Sequence, residues 1–382
     1  MKILFTGSSP KQYSDLADSR SKITRINDVS IIINSLRKSG HEVIRKRVSP
    51  NDDISEFDFV IVGIGSLGSP NYSNMLNAID VIFRAKKVLI FHEDWKIEGT
   101  MKSLKSSKSK INELLLKKWS SGEYFYTNAD LHNADELAIT FDEILAGKYP
   151  VLVPGFKWGN KQIIADILNV PLNFVNSIDL SPYVLEMIYK DVCYSNRNLI
   201  PNDRIKGYML ASLSDSRTWV KKQKFTYPVH YFGCKAINAP ILNDETEVFE
   251  MMNQYQGVLC PSYPQAGSGW FRMRFVYSAL NKNLMIMDKA DAEALNCTFI
   301  SKMEDYSDVQ CQDLSNEQSQ KILSYQTTIK DFDEHLNSII NKYLCANWRN
   351  DIQSNILWKE STRIYVKWNQ YGFLLTWLWI MA

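Results

Sequence analysis

Short apolar runs alternate with amphipathic stretches along the first half of the chain. Lys2–Phe5 is an apolar run that stops at Gly7-Ser8-Ser9. Val29, Ile32, Ile33 and Leu36 then recur at helical spacing, which predicts a helix over Asp28–Lys38 with Gly40 as its stop. A strand is expected at Glu42–Arg45. The nearly continuous run Phe57–Ile64 (FDFVIVGI) reads as a strand buried on both faces. A helix around Asn74–Arg84, a strand at Lys87–Phe91, a helix at about Asp135–Leu145 and a strand at Pro150–Val153 continue the order. Strand and helix in strict alternation imply a parallel sheet with helices on both sides.

The stretch Asp191–Arg204 (DVCYSNRNLIPNDR) is polar and turn-rich, and it reads as a linker. Alternation then restarts with Gly207–Leu210, a helix near Asp215–Lys224, Val229–Phe232, a helix near Glu245–Gln256, Gly257–Cys260, a helix at Arg272–Leu280 and a strand at Asn283–Met287. Two successive α/β units suggest two nucleotide-binding-type domains facing across a cleft, with ligands beyond the carboxyl ends of the strands. The expected division is 1–190, 205–350 and a C-terminal segment 351–382.

A length of 382 residues suits two domains. Apolar residues at 45% and charged residues at 23% fit an ordinary soluble protein, and a net charge of +2 means that any basic surface must be local. Six cysteines (Cys193, Cys234, Cys260, Cys297, Cys311 and Cys345) lack CxxC pairing, so reduced thiols in a cytosolic protein are expected, without a disulfide framework or zinc site. No charged region precedes an apolar core at the N-terminus, which argues against a secretion signal. The ten residues Phe373–Ala382 are too few to span a bilayer; a tail docked on the protein is the first reading and a partner surface the second.

Four clusters could carry chemistry. In Gly267-Ser268-Gly269-Trp270-Phe271-Arg272-Met273-Arg274, glycines precede a helix start whose first turn holds two arginines. Arginine is unfavourable at the positive end of a helix. Either an anion binds there, or Arg272 and Arg274 pair with nearby carboxylates. In Ala211-Ser212-Leu213-Ser214-Asp215-Ser216-Arg217, small hydroxyl residues followed by arginine suit phosphate, while Ser214 or Asp215 also suits a helix cap. His92-Glu93-Asp94 stands at a strand end, where a general base could lie; solvated loop charges are the plainer alternative, and metal partners at ligand spacing are lacking. From Lys96 to Lys118 seven lysines face only Glu98 and Glu113, with Lys102, Lys105, Lys108 and Lys110 among small polar residues. Such a run is a phosphate-contacting loop or simply a solvated one. Gly7-Ser8-Ser9 is not a GxGxxG, and neither GxxxxGKS nor GxSxG occurs.

The stretch from Arg274 to Asp288 (RFVYSALNKNLMIMD), an arginine opening a helix and an aspartate ending the next strand, resembles the donor-binding segment of the DNA β-glucosyltransferases of T-even bacteriophages. The start Met1-Lys2-Ile3, Phe91–Lys96, Pro150–Phe156, Tyr183 and Phe232-Gly233 fall in the family's order. The resemblance implies a GT-B fold: two Rossmann-like domains with a C-terminal helix packing back on the N-terminal domain. It implies a glycosyltransferase moving a sugar from a UDP-sugar to a hydroxymethylated pyrimidine in duplex DNA, with inversion. Arg217 and Arg274 would meet the donor phosphates, with Gly7, Ser8, Ser212, Gly233 and Arg272 around the donor. Asp94, or Glu93, would be the base, and Asp28 would lie near the sugar.

Two positions depart from the family. Tyr277 stands where it has a glutamate that helps hold the donor, and Leu213 where it has an arginine. A different sugar, such as the pentose arabinose in place of glucose, fits that change. The expected partners are double-stranded DNA carrying modified cytosine and the UDP-sugar, with no membrane. A monomer in the cytoplasm of an infected bacterium is expected. A divalent cation (Mg or Mn) would not be required for donor binding. The alternative is a GT-B enzyme acting on a saccharide or lipid-carrier acceptor, for which the Trp377-Leu378-Trp379-Ile380 tail speaks.

Overall fold

The computed structural model describes residues 1–7, 28–48, 52–63, 72–92, 105–106, 108–109, 133–191, 203–211, 223–232, 240, 242, 245–262 and 265–345. Ten strands form two sheets. The first contains β1 (Lys2–Thr6), β2 (Glu42–Arg45), β3 (Phe59–Gly63), β4 (Val88–Phe91), β5 (Val151–Pro154) and β6 (Val175–Ile178), in the order β2-β1-β3-β4-β5-β6. The second contains β7 (Ile205–Ala211), β8 (Val229–Phe232), β9 (Tyr255–Cys260) and β10 (Leu284–Met287), in the order β10-β9-β7-β8. Every pairing is parallel.

Strands β3, β4, β5 and β10 are buried along their whole length, as apolar runs covered by helices on both faces must be. The helix Asp28–Lys38 buries Val29, Ile32, Ile33 and Leu36, the stripe that its spacing predicts. Edge strand β10 is closed by a side chain: Gln318 accepts from Met285 N–H (2.8 Å) and donates to its carbonyl (3.0 Å).

The sequence pattern left 161–191 without elements. The structure places there the helix Lys161–Leu168, strand β6 and the helix Ser181–Asp191. Strand β6 hides because its second and third residues are polar. Asn176 is nevertheless buried, donating to the carbonyls of Val151 (3.0 Å) and Phe174 (2.9 Å). The helix expected to run to Gln256 ends at Asn253, and β9 begins at Tyr255. Of the helix expected near Asp215–Lys224 only Gln223 and Lys224 are described, and neither is helical.

The two sheets lie in one compact unit, Met1–Asn337; a second begins at Ser338, inside the helix Ile329–Cys345. The start of that helix comes back to the first sheet. Asp333 accepts from the Tyr183 hydroxyl (2.7 Å), His335 Nε2 lies 3.1 Å from the Ser177 carbonyl, and Asn337 Oδ1 lies 2.7 Å from His41 Nε2. The segment 351–382 lies outside the described residues. Among the described residues no helix is long and apolar enough to cross a membrane.

The sheets meet through β5 and the loop after it. Gly155 bridges Trp270, Phe156 N–H donates to the Gly269 carbonyl (2.6 Å), Phe271 N–H to that of Pro154 (3.2 Å) and Asn160 N–H to that of Gly267 (2.9 Å). Phe156 and Trp158 stack on one another and insert beside Phe275, in the core of the second sheet's side.

Candidate functional site

In each sheet the strand order reverses once, and that is where ligands enter open α/β sheets. In the second sheet the reversal lies between β7 and β9, at Ala211 and Cys260. In the first it lies between β1 and β3, at Gly7 and Gly63. Gly7 has φ +84°, and a Cβ there would stand 2.8 Å from the Gly63 carbonyl oxygen. Only glycine fits this approach.

The chain from Cys260 to the helix Met273–Leu280 is tied down by two acids beyond β10. Asp288 accepts Ser262 N–H (2.6 Å) and Asp291 accepts Gly267 N–H (2.7 Å). Arg272 is the N-cap residue of the helix, and its Nη2 donates to Gln265 Oε1 (3.0 Å), a bond buried from solvent. Asp291 also feels the charge of Arg272. Arg272 therefore belongs to the framework of the loop.

Arg274 is different. The residue is partly exposed, but its Nη1 is sealed from solvent and has no hydrogen-bond partner among the described residues. Burial pushes its guanidinium pKa down, opposed only by the nearby Cys260 thiol. The first turn of the helix carries no acid, and the cap has no side-chain hydrogen bond. Among the described contacts, Arg272 donates to an amide oxygen rather than to a carboxylate, and Arg274 keeps a sealed Nη1. A guanidinium at a helix N-terminus, with one sealed nitrogen that has no partner among the described residues, is suited to an anion that supplies both charge and acceptors.

The glycines before this helix have another task. Gly267 and Gly269 have φ +78° and +69°, and a Cβ on Gly269 would stand 2.3 Å from Gly159 Cα. Gly269 allows its backbone to touch that of Gly159, and Gly267 fits against Ala290 and Ile163.

Asp28 opens the next described helix after β1. Burial pushes its carboxyl pKa up to about 7, opposed by its own backbone N–H. His92, at the end of β4, is 2% exposed and held neutral by burial, with its pKa lowered to about 3. Its backbone N–H donates to the Leu152 carbonyl (2.9 Å). An acid near neutrality is matched to proton transfer at ordinary pH.

Tyr277 is 1% exposed, lies edge-on to Phe249 (5.7 Å between rings) and points its hydroxyl at Met273 Sδ (3.5 Å). Lys105 and Lys108 are exposed, and Lys108 Nζ pairs with Asp142 Oδ1 at 2.7 Å. Ser8, Glu93, Asp94, Lys102, Lys110, Ser212, Arg217 and Gly233 lie outside the described residues. Among the described residues no group of three or more His, Cys, Asp and Glu side chains could hold a metal ion. Sequence reasoning passed over Asp291 and Gln265. The signal for Asp291 was its place three residues after Asp288, at a strand end.

No family model matches the chain, and no curated protein matches it. Among solved structures it is similar to T4 phage β-glucosyltransferase in complex with UDP and Mn2+, with 14% identity, 91% of this chain and 100% of that chain covered, and a TM-score of 0.49. The T4 phage enzyme with its UDP-glucose substrate gives 13% identity, 93% and 99% coverage and a TM-score of 0.43. An α1,3-fucosyltransferase with GDP-fucose gives 9% identity, 91% coverage of each chain and a TM-score of 0.34.

Proposed function

We propose that the chain is a glycosyltransferase of GT-B architecture that moves a sugar, glucose or a pentose such as arabinose, from a UDP-sugar to a 5-hydroxymethyl pyrimidine of duplex DNA. The observation that carries this reading is Arg274: a guanidinium with a sealed nitrogen that has no partner among the described residues, at an acid-free helix start, beside the strand reversal of the second sheet. A nucleoside diphosphate supplies the negative charge and the acceptor oxygens that such a group lacks.

In this reading the acceptor hydroxyl loses its proton to Asp94, or to its neighbour Glu93, as the oxygen attacks the anomeric carbon. The bond to UDP breaks on the opposite face, giving inversion. The charge growing on the leaving diphosphate is met by Arg274 and the helix N-terminus, with Arg217 as a second cation. Asp28, raised by burial to about 7, is the group suited to the sugar side. The lysines from Lys102 to Lys110 hold DNA phosphates, and the acceptor base has to leave the stack to be reached.

The test is release of UDP from UDP-glucose and UDP-arabinose with hydroxymethylated duplex DNA, unmodified duplex or a saccharide acceptor, with Mg2+, Mn2+ or EDTA present. Release confined to the hydroxymethylated duplex supports the reading, provided that Arg274→Gln abolishes it. Release with a saccharide alone moves the acceptor to envelope chemistry. No release from any UDP-sugar, or an unaffected Arg274→Gln, overturns it.

A further inference from the structure

We infer that Asp291 is a positioning residue for the donor: it holds the loop Ser262–Arg272, and through it Arg274, in the geometry that receives an anion. The inference rests on reading Arg274 as the ligand-binding group.

Asp291 lies in the first turn of the helix Lys289–Ala294, just beyond β10, and is 2% exposed. Its Oδ1 accepts Gly267 N–H (2.7 Å). The carbonyl of that same glycine accepts Asn160 N–H (2.9 Å) from the loop after β5. One residue is therefore held from both sides, by the acid and by the neighbouring sheet's loop. The Ser262 side chain favours the ionised form of Asp291, although neither Ser262 Oγ nor Asp291 Oδ2 has a hydrogen-bond partner among the described residues. Ser262 is meanwhile fixed through its N–H by Asp288. The start of the loop between β9 and the helix Met273–Leu280, at Ser262, and its middle, at Gly267, are thus tied to one short segment, 288–291.

The choice of an acid is informative. Burial raises the Asp291 pKa to about 6, aided by the neighbouring Asp288 and opposed by Gly267 N–H, Ser262 and Arg272. Above that pH the carboxylate is charged in a buried place, which disfavours the fold. Packing alone would be served better by an uncharged side chain. A charged acceptor gives a stronger hold on the Gly267 N–H and on the loop's arginine, and that rigidity serves ligand geometry.

Asp291→Ala and Asp291→Asn should be compared with wild type by UDP titration, pyrophosphate titration, thermal unfolding and amide exchange of peptides spanning Gln265–Arg272. Asp291→Ala is expected to bind both ligands about tenfold more weakly and to exchange faster in those peptides, a loss of affinity larger than any fall in its unfolding midpoint accounts for. Asp291→Asn, whose amide oxygen still accepts the Gly267 N–H, is expected within about threefold of wild type. If Asp291→Ala keeps its affinity for both ligands and its exchange protection, the positioning role is wrong. The same holds if both variants lose affinity only in step with a falling midpoint. Wild-type protein that binds pyrophosphate but not UDP would sink the donor assignment and leave the positioning role standing on the exchange and pyrophosphate results.

Discussion

Replacing Arg274 with methionine separates the needs of the fold from those of the ligand. Methionine keeps the apolar stem and much of the volume while removing the guanidinium. The wild-type protein holds Nη1 sealed, with no partner among the described residues, and burial depresses the guanidinium pKa. A buried polar group left unsatisfied costs about 1–3 kcal/mol. Arg274→Met should therefore be more stable than wild type by that order, raising the unfolding midpoint by a few degrees. Ligand binding should move the other way. Loss of one charge-assisted hydrogen bond, roughly 1.5–3 kcal/mol, weakens UDP about 10- to 150-fold. Turnover should fall on the order of a hundred- to a thousandfold.

The assay is thermal unfolding with and without UDP, beside calorimetric titration. At a UDP concentration 100 times its Kd, wild type gains about 2.7 kcal/mol. A variant binding 100-fold more weakly gains only about 0.4 kcal/mol at that concentration. UDP should thus close the gap by about 2.3 kcal/mol, so that a variant whose advantage without UDP is smaller than this melts higher without UDP and lower with it. A variant that melts several degrees below wild type without UDP yet binds UDP unchanged would refute the reasoning and make Arg274 a structural residue.

Asp28→Asn should alter the pH dependence of stability. Folded Asp28 keeps its proton up to about pH 7, whereas the unfolded chain releases it near 3.8. Wild type therefore loses stability as pH rises from about 4 to 7, by on the order of 4 kcal/mol at most. Urea unfolding at pH 5 and pH 8 should show Asp28→Asn with a flatter dependence and an advantage at pH 8; parallel curves would contradict the burial of this acid. Gly159→Ala places a Cβ 2.2 Å from the Ser268 carbonyl oxygen and 2.4 Å from Gly269 Cα. It should destabilise by about 3 kcal/mol or more and weaken UDP binding. Gly40→Ala, with nothing within 4 Å, should show only the milder strain of its φ of +85°; equal effects in thermal unfolding would dismiss the backbone contact. Lys108→Ala should reduce the slope of log affinity for duplex DNA against log salt by about one. An unchanged slope would remove this lysine from the DNA-facing surface.

Much of the fold is written in local pattern. Val29, Ile32, Ile33 and Leu36 announce their helix, and the apolar runs of β3, β4 and β10 announce strands covered on both faces. These assignments need no distant partner, because burial on one stripe or on both faces shows directly in residue spacing. Strand β6 escaped because Asn176 reads as polar, and its acceptors on Val151 and Phe174 belong to folded backbone.

The site divides along the same line. Residue order places two arginines and two glycines at a helix start and marks that start as unusual. It cannot tell Arg272 from Arg274, since both are arginines within one turn. Folding gives Arg272 the Gln265 side chain and the field of Asp291, leaves Arg274 Nη1 sealed without a partner among the described residues, and turns Gly269 into a contact with Gly159. Periodicity reports which face of an element is dry. Which polar group is satisfied there depends on atoms brought in from far along the chain, and that is settled only when the two sheets have packed.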